Sequence, residues 1–247
     1  MNPVSGDVPE RGHDGSGLGA VGCDAARVSA GRQRCPAPGR GETVILVNGL
    51  WMPGWVLSVL ARRLRRCGYA VRSFTYRSMA CSLQENADLL KEFVDAQPAA
   101  VMHYVGYSLG GIVVHALFHY HPQLRPGRVV TLGSPHQGSH AAATVARCAL
   151  GRRLLGKSLP ALVSREGRLW PWPARETGTV AGTFNFGLGR LLPGQAGASD
   201  GTVRLTEAQL PEATDRISLP VSHFGLLISG QAAQAVCRFL STGRFGL

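Results

Sequence analysis

The stretch Thr43–Val47 (TVILV) is five apolar or β-branched residues in a row. A run that short and that apolar predicts a strand buried on both faces, as in a parallel sheet. After a loop with Pro53 and Gly54 the period changes. Val56, Leu57, Val59, Leu60 and Leu64 recur at helical spacing, with Arg62, Arg63, Arg65 and Arg66 between them, and Gly68 is a stop signal. The rhythm then repeats. Ala70–Tyr76 reads as a strand, Leu83–Ala96 as a helix closed by Pro98, and Ala99–Val105 as a strand. Gly111–Tyr120 reads as a helix closed by Pro122, and Arg128–Leu132 as a fourth strand. Thr179–Phe184 and Arg216–Leu219 are the fifth and sixth strands, and Gly225–Leu240 is the last helix.

This alternation predicts an α/β fold: a mostly parallel sheet of about six strands with helices on both faces, joined by right-handed crossovers. Ligands of such sheets bind beyond the carboxyl ends of the strands. The loops after residues 47, 105 and 132 are therefore the ones to inspect. The rhythm breaks over 149–175, where Leu150, Leu154, Leu155, Leu159 and Leu162 lie among Arg147, Arg152, Arg153 and Lys157, before Trp170-Pro171-Trp172-Pro173. We expect a small inserted cap there, basic and amphipathic, with a peripheral contact to a membrane surface as one use of it. Residues 1–41, rich in Gly, Pro, Ser and Arg, are expected to be a flexible tail, and 42–247 one domain.

The chain's 247 residues suffice for one large core, and 45% of them are hydrophobic. The net charge is +11, and all of the bases except Lys91 and Lys157 are arginine. Their scatter excludes a basic tail, and there is no nucleic-acid-binding motif and no basic patch interleaved with aromatics, so no nucleic-acid partner is expected. Six cysteines, at 23, 35, 67, 81, 148 and 237, show no C-x-x-C spacing, and a chain of this size does not need disulfides, so reduced thiols are expected. The first residues lack the apolar core of a signal peptide, which makes a cytoplasmic location the default. The apolar stretch Val101–Tyr120 is long enough to span a membrane, but its glycines and histidines fit a buried strand, turn and helix better.

That stretch holds the chemistry. Gly106-Tyr107-Ser108-Leu109-Gly110 is a G-x-S-x-G with a strand running into it and a helix running out. This is the setting of a nucleophile elbow, in which a serine sits on a strained turn above the sheet. The glycines are needed because side chains two positions either side would collide with strand and helix. A serine nucleophile needs a base, and the base an orienting acid. His115, His119 and His121 lie on or just after the helix leaving the elbow and point away from the strand ends. His136 and His140 follow the fourth strand, while His223 follows the last strand. His223 is the expected base. Asp200, in Ser199-Asp200-Gly201-Thr202-Val203, is the expected acid, with Glu207, Glu212 and Asp215 as competitors. Oxyanion donors are expected from the N–H groups of Leu109 and of Leu50, the latter in Asn48-Gly49-Leu50-Trp51. His115 and His119 have metal-ligand spacing, but without H-E-x-x-H or a third ligand they read as packed histidines, and neither metal nor cofactor is expected.

Residues 43–247 resemble the lipase and esterase branch of the α/β-hydrolase superfamily, particularly its bacterial triacylglycerol lipases. The resemblance is carried by the elbow, by Leu132-Gly133-Ser134-Pro135-His136-Gln137-Gly138-Ser139, by Asp200-Gly201-Thr202-Val203 and by His223. It implies the α/β-hydrolase fold, a helical cap over the site, and a structural role for the Gly133–Ser139 stretch in shaping the pocket floor, so that His136 is not counted as catalytic. One departure stands out: Asn48 occupies the place of the usual histidine before Gly49. The expected activity is hydrolysis of small-molecule or lipid carboxylic esters through an acyl-enzyme. An acyltransferase or thioesterase on the same triad, and a non-catalytic lipid- or membrane-binding protein on a hydrolase scaffold, are the alternatives.

Overall fold

The computed structural model describes residues 41–163, 170–187 and 197–246. The expected tail, apart from Gly41, lies outside the described residues, as does 164–169 of the expected cap. The strands are β1 (Thr43–Val47), β2 (Ala70–Phe74), β3 (Met102–Tyr107), β4 (Val129–Leu132), β5 (Thr177–Gly182) and β6 (Asp215–Leu219). They form one sheet in the order β2-β1-β3-β4-β5-β6, and every neighbouring pair is parallel. The order reverses between β1 and β3, because one crossover leaves β1 towards β2 and the rest step the other way. Such a reversal opens a crevice at the carboxyl ends of the two strands. The register pairs Val47 with Gly106, so the loop after β1 and the turn after β3 emerge side by side.

Period-two alternation in β1 feeds both faces of the sheet. Val44 and Leu46 pack with Leu60 and Leu64 of α1 (Ser58–Arg66) and with Val236 and Phe239 of α8 (Gly230–Thr242). Ile45 and Val47 pack on the other face, with Leu90 and Val94 of α2 (Leu83–Asp95) and Val113 and Leu117 of α3 (Leu109–Tyr120). Removing these apolar groups from water supplies the main drive for folding. Helix α1 starts after a short 3-10 turn at Gly54–Leu57 and turns its arginines outward. Ser82 and Glu85 form a reciprocal cap at the start of α2. The expected final helix is two. Helix α7 (Gly225–Ile228) stops where Ser229 leaves helical geometry, and the Ser229 hydroxyl then accepts the Ala232 N–H to start α8.

Between β4 and β5 the chain forms α4 (His140–Val145), α5 (Ala149–Leu155), a 3-10 turn (Gly156–Ser158) and α6 (Leu159–Val163). The inserted layer thus begins before residue 149, with α4. Among the described residues no helix is long and apolar enough to cross a membrane.

The expectation of reduced thiols fails at one pair. Cys67, at the C-terminus of α1, is bonded to Cys237 on α8 across 170 residues of sequence, with the two Cα atoms 6.4 Å apart. Helices α1 and α8 pack on the same sheet face, and that packing, invisible in linear spacing, brings the sulfurs together. Cys81 and Cys148 are free thiols. Closing so long a loop restricts the unfolded chain. The double variant Cys67→Ser/Cys237→Ser is expected to lose about 2–4 kcal/mol in urea denaturation. An unchanged midpoint would show that the bridge contributes nothing in solution.

Candidate active site

Ser108 stands at the junction of β3 and α3 with φ 53° and ψ −123°, a left-handed φ that few non-glycine residues adopt. Packing on each side imposes this turn. A Cβ on Gly106 would fall 2.5 Å from Gly111 Cα, and one on Gly110 would fall 2.3 Å from Val47 O. Glycine at both positions lets α3 press against β3 and the end of β1. The Ser108 N–H donates to Leu132 O at 2.8 Å, which ties the turn to the end of β4. The first N–H groups of α3 have no partner within the helix and carry its positive dipole end towards Ser108.

Asp200 and His223 are brought together as expected. His223 Nδ1 lies 2.6 Å from Asp200 Oδ2, and the His223 N–H donates to Asp200 O at 2.8 Å. Asp200 is 1% exposed. Its other carboxylate oxygen accepts the N–H groups of Thr202 at 2.9 Å and Val203 at 2.8 Å, so the buried charge is bonded on both oxygens. The carboxylate assigns the proton to Nδ1 and leaves Nε2 as the free lone pair of a neutral ring. The competing acids are engaged elsewhere. Glu207 accepts the N–H groups of His140 and Arg204, and Asp215 accepts those of Arg216 and Phe245, while Glu212 lines a separate, smaller cavity.

Ser108 and His223 line one cavity of about 320 Å³. Leu50 and Leu109 border it too, and Leu155 of α5 and Leu162 of α6 give it apolar walls. Residues of α5 and α6 therefore contribute directly to the cavity over Ser108. Gly133 has φ +56°, and a Cβ there would lie 3.0 Å from the His223 ring, so this glycine leaves room for the imidazole. Tyr107, which precedes the serine, was missed by sequence reasoning. Its hydroxyl donates to His223 O at 3.2 Å, and its ring lies 4.9 Å from the imidazole. Burial, with the Asp200 charge added, pushes the Tyr107 phenol well above its usual range and keeps it a donor. The signal available was its place in the elbow pentapeptide.

The loop after β1 carries the departure noted in the sequence. Asn48 is buried, and its Nδ2 donates to Met52 O at 2.6 Å and Gly49 O at 3.1 Å. The amide thus ties the loop across four residues. Trp51 stands in the left-handed region at φ 59°.

His115, His119 and His136 are not among the residues that line the Ser108 cavity. His119 stacks on Trp170 at 4.3 Å, and His115 lies 4.1 Å from the Trp172 ring. His136 Nε2 lies 3.0 Å from Thr131 Oγ1, with Trp172 edge-on. In the loop after β4, Pro135 and Ser139 line the Ser108 cavity, while His136 lines the smaller one with His115. Among the described residues no cluster of three or more His, Cys, Asp or Glu is arranged to hold a metal ion.

No protein-family model matches the chain, and no curated protein matches it in sequence. Solved structures match its fold. A lipase of Bacillus licheniformis in its mature form superposes with a TM-score of 0.64 at 22% identity, over 77% of this chain and 88% of that one. A metagenomic carboxyl esterase gives 0.60 at 18% identity, over 76% and 66%. A hydrolase of Pseudomonas aeruginosa gives 0.58 at 17% identity, over 84% and 92%. With the parallel six-stranded sheet and the serine turn after β3, these likenesses identify the α/β-hydrolase fold.

Burial pushes His115 down to about 4 and His136 down to about 3, from an ordinary value of about 6.5. A lowered folded-state value means that the unfolded chain binds these protons first. The fold therefore resists protonation of either ring: they leave stability unaffected above about pH 6.5, and stability falls as pH drops below it towards the folded-state values, by on the order of 3 kcal/mol for His115. Thermal melts are expected to drop through that window, and His115→Phe is expected to shallow the drop. An equally steep drop in the variant would contradict this assignment.

Proposed function

We propose that this protein is a serine hydrolase that cleaves carboxylic esters bearing apolar acyl groups, with Ser108 as nucleophile, His223 as base and Asp200 as the orienting acid. The observation that carries the reading is the buried Asp200–His223 pair at 2.6 Å, sharing a cavity edge with a serine held at φ 53°. A buried carboxylate aimed at an imidazole is expensive to keep for packing alone. The lipases and esterases of the same fold support the same class of reaction.

The proposed steps balance within this constellation. Ser108 Oγ bonds to the ester carbonyl carbon as its proton passes to His223 Nε2. The carbonyl oxygen takes up negative charge and is met by the N–H groups of Leu109 and Leu50. The tetrahedral adduct collapses, the C–O bond to the alcohol breaks, and His223 returns the proton to the leaving oxygen. Water then repeats the sequence on the acyl-enzyme, again deprotonated by His223, and releases the acid and Ser108. Asp200 stays ionised and stabilises the imidazolium formed in each half.

The cavity of about 320 Å³ and its walls of Leu155, Leu162 and Val145 favour a short to medium acyl chain. Leu150 and Leu154 stand exposed beside Arg152 and Arg153 on α5, which supports a peripheral contact with an anionic lipid surface. The Cys67–Cys237 bridge favours an oxidising compartment over the cytoplasm.

The purified protein is expected to release p-nitrophenol steadily from short and medium acyl esters. Ser108→Ala should cost about 10⁴-fold or more in kcat, and Asp200→Asn about 10³–10⁴-fold. Full activity in Ser108→Ala, or no turnover by the unaltered protein, would overturn the proposal.

A further inference from the structure

Trp51 combines three features that packing alone does not require. It is a large non-glycine residue at φ 59°, a conformation that persists only where its surroundings enforce it. Its ring lines the Ser108 cavity, yet the residue is 53% exposed. Its indole Nε1–H donates to Leu154 O on α5 at 2.9 Å, a bond spanning 103 residues. The residue before it, Leu50, carries the proposed oxyanion N–H.

A second tie runs beside the first. The Trp51 N–H reaches Ser78 Oγ at 3.5 Å, and the Lys157 N–H, in the 3-10 turn that follows α5, donates to Met79 O at 3.0 Å. The loop after β2, the oxyanion loop and the end of α5 therefore meet at one junction. Asn48 holds the base of the oxyanion loop to Met52, so Trp51 is its outward, cap-facing point. On the cap side, the residue after the Leu154 acceptor is Leu155, whose side chain walls the acyl cavity with Leu162.

We propose that Trp51 is a positioning residue that makes the oxyanion loop depend on the cap. The indole bond to Leu154 keeps the Trp51 backbone left-handed and Leu50 N–H at the cavity. An acyl chain seated against Leu155 and Leu162 steadies α5 and, through that bond, the donor. Acyl length is then read in kcat as well as in KM, because the donor acts on the charge that develops during reaction. A short acyl group that does not reach these leucines gains nothing from the link. The inference rests on Ser108 acting as an ester-cleaving nucleophile.

The test compares p-nitrophenyl acetate with p-nitrophenyl hexanoate on the full chain and on Trp51→Phe, which keeps a ring in the cavity wall and removes the N–H. In the unaltered protein kcat is expected to rise at least about fivefold from acetate to hexanoate. In Trp51→Phe, kcat on hexanoate should fall about tenfold, part of the cost of losing an oxyanion donor outright, and kcat on acetate by a smaller factor, so that the hexanoate-to-acetate kcat ratio drops, with the change larger in kcat than in KM. The hexanoate-to-acetate ratio is measured on one preparation, so it is independent of the fraction of variant that folds. An unchanged ratio in Trp51→Phe, or no rise in the unaltered protein, overturns the role of Trp51 and leaves ester hydrolysis standing. Turnover of neither ester by the unaltered protein overturns the hydrolase reading itself.

Discussion

Gly110 lies so close to the carboxyl end of β1 that a Cβ there would sit 2.3 Å from Val47 O and 2.5 Å from Asn48 O. This close approach of α3 to β1 governs the rest of the site. It lets the chain pass from β3 into α3 with a single residue, Ser108, in the left-handed region, and it aims the start of α3 at the cavity. It also sets the turn against the loop after β1, where the sheet order reverses. Ser108, the start of α3 and the loop after β1 thus share one packing constraint.

Around that turn the remaining parts arrive from different strand ends. Asp200 comes from the loop between β5 and β6, and His223 from the loop after β6. Three donors meet the buried side chain of Asp200: the imidazole and two backbone N–H groups. Tyr107 and Gly133 then shape the space that the His223 ring fills. Rigid backbone, rather than long flexible side chains, sets most of the geometry, which is how a site keeps its donors aligned without reorganising.

Inner strands such as β1 and β4 were legible because they are buried on both faces and read as continuous apolar or β-branched runs. The expected β1 matches the observed bounds, and the others shift by three residues or fewer at either end. The elbow was legible because its glycines are steric necessities, and Asp200 and His223 because strand-end loops limit where an acid and a base can stand. The rest depends on tertiary contact. Cys67 and Cys237 meet only when α1 and α8 share a face. The short helix His140–Val145 leaves no strong periodic signal. His136 packs against Thr131 and Trp172, an orientation that spacing does not encode.

The central claim is that this constellation activates one serine among many. A fluorophosphonate reagent tests it most directly, because it bonds covalently to a serine whose proton an adjacent base removes. Peptide mass mapping of the treated native protein is predicted to show one adduct per chain, on Ser108, and none in protein unfolded before treatment. No adduct in the native protein, or adducts spread over other serines, would contradict the account.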